Sequence, residues 1–207
     1  MTYIFDFDGT LVDSMQQWSV KMLNVLNSNN IAYPPDIIKI ITPLGDRGTA
    51  EYFRSMGVKM SVREILDLMD SYAMHEYEFN IPAKPYVAET LARLKSDGHS
   101  LNVLTASPHK MLDVCLNRLK LSAFFDNIWS CDDFPYTKSQ PEIYIETARR
   151  LGVPVGECIF ADDNYNAVSA AKTAGMITVG VYDATSAENE YEMRKLCDKY
   201  IFDFREL

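Results

Sequence analysis

Residues 3–14 read YIFDFDGTLVDS, in which a short apolar run leads directly into two aspartates. The run Tyr3–Phe5 has no charged residue, which is typical of a strand covered on both faces of a parallel sheet. Asp6 and Asp8 lie two residues apart, so both carboxylates can face one crevice where the strand ends. Because open α/β sheets bind ligands at this carboxyl edge, the stretch predicts a first strand that leads into a ligand site. A simple turn at Asp8 and Gly9 is the alternative interpretation.

Short apolar runs alternate with helical segments over most of the chain. The predicted strands are Tyr3–Phe5, Ser100–Leu104, Asn127–Trp129, Cys158–Ala161, Thr178–Val181 and Tyr200–Phe202. The helical segments have typical boundary residues, namely Gly98, the cap and first-turn proline Ser107-Pro108, Pro141, Gly152, Asn164 and Gly175. Such alternation predicts an α/β fold with a doubly wound, Rossmann-like parallel sheet.

Residues 14–81 break this alternation, because they contain no convincing strand but several helical patterns. The predicted helices are one through Trp18 and Leu26, a short one from Pro34-Pro35, one over about 47–56, and one after a capping box of Ser61 and Glu64. We therefore predict a core domain of residues 1–13 and 82–207, with an inserted all-α helical cap domain of residues 14–81.

Composition restricts the partners of the chain. Its 207 residues carry a formal net charge of −9 and no cluster of Lys or Arg, which argues against nucleic-acid binding. No apolar run reaches the roughly 18 residues of a membrane-spanning helix, and no basic segment precedes the first strand, so neither a membrane partner nor a signal peptide is expected. The four cysteines lack CxxC spacing, which fits a location in the reducing cytoplasm.

A second acidic pair, Asp162-Asp163, follows the predicted strand Cys158–Ala161. If the first strand is central in the sheet, the two strand ends bring this pair together with Asp6 and Asp8, so that four carboxylates converge. Such a set of oxygen ligands suits Mg²⁺, which prefers hard oxygen donors and retains several waters. Capping of the next helix by Asp163 and Asn164 is the alternative role, and both roles can coexist.

Three further segments are candidates for anion binding. Thr105-Ala106-Ser107 ends a predicted strand and opens a helix, where hydroxyls and N–H groups bind anions, although plain helix capping explains it too. Lys138 lies before another helix, and a lone Lys is more often a solvated surface residue. Arg47, between Gly45 and Gly48, could reach a distal anionic group of a substrate, or could be a solvated loop residue.

These segments, in this order, resemble the four motifs of the haloacid dehalogenase superfamily. The closest resemblance is to its phosphatase-like members with a helical cap after the first motif, the group of phosphoglycolate phosphatase and β-phosphoglucomutase. The matching stretches are Asp6–Ser14, Leu104–Ser107, Lys138–Tyr144 and Phe160–Met176. The chain departs from the family at Ser139, where Pro is usual, and at Asp162, where Gly or Glu is frequent.

The resemblance implies a Mg²⁺-dependent phosphatase that acts on a small phosphorylated metabolite. Asp6 would be the nucleophile that forms an aspartyl-phosphate, and Asp8 the general acid and base. Lys138 would offset the charge of Asp6 and of the phosphate. The implied metal ligands are Asp6, the Asp8 carbonyl and Asp163, with Asp162 bound directly or through water; the implied phosphate-binding residues are Thr105, Ala106 and Ser107.

Other function classes remain open. A dehalogenase would not need Asp8 as acid and base. A sugar-phosphate mutase of the β-phosphoglucomutase type would carry a cap His ten residues past Asp8, where this chain has Trp18, whose spacing suits packing within the first cap helix. A non-catalytic phosphate-binding module would be expected to have lost a motif residue. We therefore favour phosphomonoester hydrolysis by a monomer or weak homodimer, with phosphoglycolate and small sugar phosphates as candidate substrates.

Overall fold

The computed structural model describes residues 1–207, apart from the side chains of Trp18 and Pro43. The chain forms two compact units, one of Met1–Ser14 with Ile81–Leu207 and one of Met15–Asn80. We refer to them as the sheet unit and the helical unit. In the described part of the chain, no helix has the length and apolar character to cross a membrane.

The helical unit contains four α-helices and no strand. They are α1 (Met15–Ser28), α2 (Ile37–Ile41), α3 (Gly45–Ser55) and α4 (Val62–Phe79). The Ser61 hydroxyl accepts the Glu64 N–H at 3.2 Å, and the Glu64 carboxylate accepts the Ser61 N–H at 2.7 Å, which confirms the predicted capping box. The second helix begins later than predicted, at Ile37, because residues 34–37 form a turn that the Ile37 N–H closes on the Pro34 carbonyl oxygen at 3.1 Å.

The sheet unit contains six parallel strands in the order β3-β2-β1-β4-β5-β6. Their bounds are β1 (Thr2–Phe5), β2 (Ser100–Thr105), β3 (Asn127–Ser130), β4 (Cys158–Asp162), β5 (Ile177–Val181) and β6 (Lys199–Ile201). Each predicted strand is present, with its ends shifted by no more than one residue. β1 is central, between β2 and β4, and the doubly wound α/β fold is confirmed.

Five α-helices cover the sheet. They are α5 (Val87–Ser96), α6 (His109–Arg118), α7 (Pro141–Leu151), α8 (Tyr165–Ala174) and α9 (Glu190–Leu196). Small residues on α8, such as Ala167 and Ala171, pack in one buried cluster with Ile143 of α7 and Phe160 of β4. The Asn164 side chain accepts two N–H groups at the start of α8, as predicted for a cap.

The two chain segments that border the helical unit pair with each other inside the sheet unit. Val12 and Ala83 form an antiparallel bridge, and the Asp13 N–H donates to the Pro82 carbonyl oxygen at 3.0 Å. Lys84 Nζ lies 2.9 Å from Oδ2 of Asp183, and both side chains are largely buried. This ion pair therefore connects the segment that follows the helical unit to the loop after β5.

Candidate active site

The carboxyl ends of β1 and β4 define the site, because these strands are neighbours at the centre of the sheet. Asp6 directly follows β1, and its N–H donates to the Ala161 carbonyl oxygen of β4 at 2.9 Å. Asp162 is the last residue of β4, and Asp163 follows it. The register, with Phe5 opposite Ala161, thus brings both acidic pairs to one edge.

Three buried carboxylates form the centre of the site. Asp6, Asp162 and Asp163 each place one carboxylate oxygen within 4.8 Å of the other two. The exposed fractions of these residues are only 5%, 0% and 6%, respectively. Asp8 is not one of the three, so the cluster contains three of the four carboxylates that were expected to converge.

Lys138 supplies positive charge within the cluster. Its Nζ lies 2.5 Å from Oδ1 of Asp6 and 2.6 Å from Oδ2 of Asp162. The Tyr144 hydroxyl donates to the Lys138 carbonyl oxygen at 2.7 Å, which fixes the backbone at this point. Burial lowers the pKa of Lys138, but the Asp162 and Asp6 carboxylates outweigh that effect and hold its pKa well above the ordinary value. Lys138 is therefore a buried ammonium group and not a solvated surface charge.

The loop after β1 holds Asp163 in place. The Thr10 hydroxyl donates to Oδ1 of Asp163 at 3.0 Å and accepts the Asp163 N–H at 3.1 Å. Gly9 has φ of +76°, and a Cβ on it would stand 2.7 Å from both carboxylate oxygens of Asp163. Sequence reasoning assigned this role to neither Gly9 nor Thr10. The only signal was the glycine itself, since a glycine beside acidic residues is typical where another group approaches the backbone closely.

The site carries more negative than positive charge. Burial, followed by the charges of Asp162 and Asp6, raises the pKa of Asp163 well above its ordinary value. Burial also raises the pKa of Asp162, an effect that Lys138 opposes and Asp6 reinforces. A divalent cation would relieve this repulsion, and a donor set made only of oxygens fits a hard cation such as Mg²⁺. The residues present therefore fit the predicted metal.

Asp8 contacts the loop after β2. The Ser107 hydroxyl donates to Oδ2 of Asp8, and Oγ1 of Thr105 accepts the Ser107 N–H at 3.1 Å. The prediction that Ser107 caps α6 is wrong, because Pro108 occupies the N-cap position and no side chain caps the helix there. The Ser107 hydroxyl is used by Asp8 instead.

Arg47 belongs to the helical unit, where it lies in the first turn of α3 and not in a loop. Its Nε lies 3.3 Å from Oε1 of Glu51, and 79% of its side chain is exposed. Its role in substrate binding stays a prediction. The same holds for the packing of Trp18, whose side chain lies outside the described residues.

Comparison with known proteins identifies the family. The profile of the haloacid dehalogenase-like hydrolases matches residues 3–181. Hexitol phosphatase B of Escherichia coli K12 is 31% identical over 193 residues, which cover 90% of this chain and 85% of that protein. Phosphoglycolate phosphatase of Salmonella typhi is 28% identical over 200 residues, which cover 86% of this chain and 79% of that protein.

Solved structures share the fold. The crystal structure of β-phosphoglucomutase from Clostridium difficile matches with a TM-score of 0.73 at 21% identity, and the match covers 100% of this chain and 92% of that one. At this level of identity, the likeness concerns the fold alone. The family profile and the phosphatase relatives show that the chain belongs to the haloacid dehalogenase-like hydrolases and is an enzyme of their phosphatase-like group.

Proposed function

We propose that this chain is a Mg²⁺-dependent phosphatase that hydrolyses a small phosphomonoester through an aspartyl-phosphate on Asp6. The position of Asp6 is the observation that carries this proposal. Its buried carboxylate lies 2.5 Å from the Lys138 ammonium group, at an edge that also carries two further aspartates. Such an arrangement holds a carboxylate in one orientation beside a positive charge, as in-line attack on phosphorus requires.

Asp6, Asp163 and the Asp8 carbonyl would hold the Mg²⁺. When bound, the cation would neutralise charge on the phosphoryl group and on the carboxylates around it. Asp162 differs from the other two carboxylates, because Oδ2 lies 2.6 Å from Lys138 and Oδ1 accepts the Asn164 N–H at 2.7 Å. Oδ2 thus has an ion-pair partner, and Oδ1 has a hydrogen bond. We therefore assign Asp162 the role of holding Lys138, with contact to the metal through water.

Asp6 and Asp8 would carry out the two chemical steps. First, a carboxylate oxygen of Asp6 forms a bond to phosphorus while the bond to the leaving alkoxide oxygen breaks, and Asp8 donates its proton to that oxygen. Next, a water oxygen forms a bond to phosphorus while the bond to the Asp6 oxygen breaks, and Asp8 accepts a proton of the water; the Asp6 carboxylate is regenerated and inorganic phosphate leaves. The hydrogen bond from Ser107 to Asp8 would keep this carboxyl group oriented between the steps.

The loop after β2 would bind the phosphoryl oxygens. Because Oγ1 of Thr105 accepts the Ser107 N–H, the Thr105 O–H is a donor for a phosphoryl oxygen. The Ala106 N–H and the Lys138 ammonium group would add further donors. This local set of donors explains how a chain with a net charge of −9 could bind an anion.

A small phosphorylated metabolite is the proposed substrate. Hexitol phosphatase B and phosphoglycolate phosphatase, by their names, act on compounds of this size, which supports a small sugar phosphate or a phosphorylated hydroxy acid. The net charge of −9 argues against a nucleic-acid partner.

A panel of phosphomonoesters, assayed for inorganic phosphate with and without Mg²⁺, tests the proposal. We expect phosphate release that needs Mg²⁺, stops with excess EDTA, and is lost in Asp6→Asn. Asp67→Asn, at an exposed aspartate of the helical unit paired with Arg63, is the matched control and should retain activity. If glucose 6-phosphate accumulates from glucose 1-phosphate faster than free phosphate, the protein is a mutase and not a hydrolase. Full turnover by Asp6→Asn would exclude the covalent step.

A further inference from the structure

A histidine connects two loops beside the active site. His109 is the first residue of α6, and its Nε2 lies 2.9 Å from Oδ2 of Asp133. Asp133 ends the short 3₁₀ turn Cys131–Asp133, which directly follows β3. Because β2 and β3 are neighbours in the sheet, with Thr105 opposite Ser130, the pair links the loop after β2 to the loop after β3. We refer to this contact as the His109 strap.

Two hydrogen bonds hold the Asp133 end of the strap, besides its contact with His109. Its Oδ2 also accepts the Ser130 N–H at 2.9 Å, which closes a capping box on the turn. Its carbonyl oxygen accepts a hydrogen bond from Nη2 of Arg150 at 2.9 Å. The Arg150 guanidinium group also stacks on the Phe134 ring at 3.8 Å. Asp133 is therefore held by its own turn and by α7, so that its contact with His109 connects the start of α6 to a position that other contacts also fix.

Both loops carry groups that the proposed reaction uses. The loop after β2 contains Thr105 and Ser107, and Ser107 donates to Asp8. The loop after β3 leads, five residues beyond Asp133, to Lys138. Relative movement of the two loops would therefore change the distance between the phosphate-binding donors and the buried ammonium group.

The ionisable groups that act on His109 belong to two elements. On α6 itself, Oδ1 of Asp113 lies 3.5 Å from Nδ1, and across the gap Asp133 contacts Nε2. The hydrogen bond from Asp133 raises the pKa of His109; partial burial opposes this shift, and Asp113 adds to it. A protonated imidazole can donate to both carboxylates, whereas the neutral ring has one N–H only. The strap is therefore strongest when His109 is charged, and weakens as pH rises through its pKa.

We propose that His109 is a positioning residue, which holds the phosphate-binding loop after β2 in register with the Lys138 loop through its contact with Asp133. This inference rests on the phosphatase function proposed above, since it assigns His109 a part in that reaction. His109 touches neither the substrate nor the reacting atoms, so its effect is on the geometry with which the phosphoryl group is bound.

The pH profile of kcat/KM for His109→Gln, compared with that of the unaltered protein, tests the strap. Because the pair is partly exposed, we expect the substitution to lower kcat/KM about fivefold at pH 6, through KM, and by less than about twofold at pH 9. The exposed His75 of α4 provides the matched control, and His75→Gln should leave the profile unchanged. If the ratio of kcat/KM between His109→Gln and the unaltered protein is constant over this pH range, as a purely structural role would give, the proposal is overturned.

Two measurements that do not need activity separate this inference from the proposed function. The chain has only three histidines, so NMR can follow the imidazole of His109 directly, and Asp133→Asn should lower its pKa. Amide hydrogen exchange at Ala106 and Ser107 should be faster in His109→Gln. If the protein hydrolyses no phosphomonoester but both effects are seen, the function fails while the strap is real. Unchanged exchange together with an unchanged pKa would refute the strap, whatever the activity.

Discussion

Substitution of Gly9 by Ala should destabilise the protein by about 2–4 kcal/mol. A φ of +76° costs an L-residue about 1–2 kcal/mol. The new Cβ would also stand 2.7 Å from both Asp163 carboxylate oxygens, where 3.4 Å is an ordinary contact, so the carboxylate must move. That movement weakens the two hydrogen bonds, at 3.0 and 3.1 Å, that join Asp163 to Thr10. Their weakening should cost about 1–2 kcal/mol of stability in addition to the backbone cost.

Urea unfolding measures this cost, and a second glycine separates its two parts. Gly152 has φ of +71°, and nothing lies within 4 Å of the position that a Cβ would take there, so Gly152→Ala reports backbone strain alone. We expect Gly9→Ala to cost at least about 1 kcal/mol more than Gly152→Ala, and to weaken Mg²⁺ binding in calorimetric titration. Equal losses of stability in the two variants, with Mg²⁺ binding intact in Gly9→Ala, would refute the contact between Gly9 and Asp163.

Further predictions concern charge and hydrogen bonding. Burial raises the pKa values of Asp162 and Asp163, so the folded chain holds these protons more tightly than the unfolded chain. The two protonated carboxyl groups therefore stabilise the folded chain fully below about pH 4, and this stabilisation is lost as pH rises through the raised pKa values. Added Mg²⁺ should therefore raise Tm in scanning fluorimetry more at pH 8 than at pH 5, and the reverse order would contradict the assignment. Thr10→Val should cost about 1–2 kcal/mol in urea unfolding and weaken Mg²⁺ binding, whereas Thr10→Ser should retain both. Lys84→Met leaves the buried Asp183 without its ion-pair partner and should cost about 3 kcal/mol, with part of the loss recovered in a double variant that adds Asp183→Asn.

The sheet could be predicted from the sequence because its strands are short, apolar and separated by clear helix boundaries. The sequence did not predict helix α9, because this segment lacks a clear apolar pattern. Its sequence, Glu190–Leu196, has one buried residue, Met193, and thus no apolar stripe. Packing against β5 supports it instead, since a Cβ on Gly180 would stand 2.7 Å from Cγ of the buried Met193. A local pattern does not reveal such contacts.

In the candidate site, the sequence likewise predicted which residues take part but not the contacts that hold them. The ends of two predicted strands placed Asp6 and Asp163 at one edge of the sheet, since parallel strands end together, and the family resemblance assigned Lys138 to the same site. The partners of these residues could not be predicted, because a hydrogen bond such as that between Thr10 and Asp163 joins positions 153 residues apart. The role of Ser107 was misassigned because serine before proline is a typical helix start, whereas here a carboxylate competes for its hydroxyl.

The bridge between Val12 and Ala83 makes the helical unit a removable insertion. Residues paired across an antiparallel bridge have Cα atoms only about 4.5–5.5 Å apart, a gap that a two-residue hairpin turn closes. The chain therefore leaves the sheet unit and returns to it at practically one point, and the hydrogen bond from Asp13 to Pro82 continues the pairing one residue beyond the bridge, toward Met15 and Asn80. A shortened gene in which a tight turn replaces Met15–Asn80 should yield an autonomous α/β domain. By the same geometry, insertions of other lengths could be exchanged at this position during evolution without repacking the six-stranded sheet.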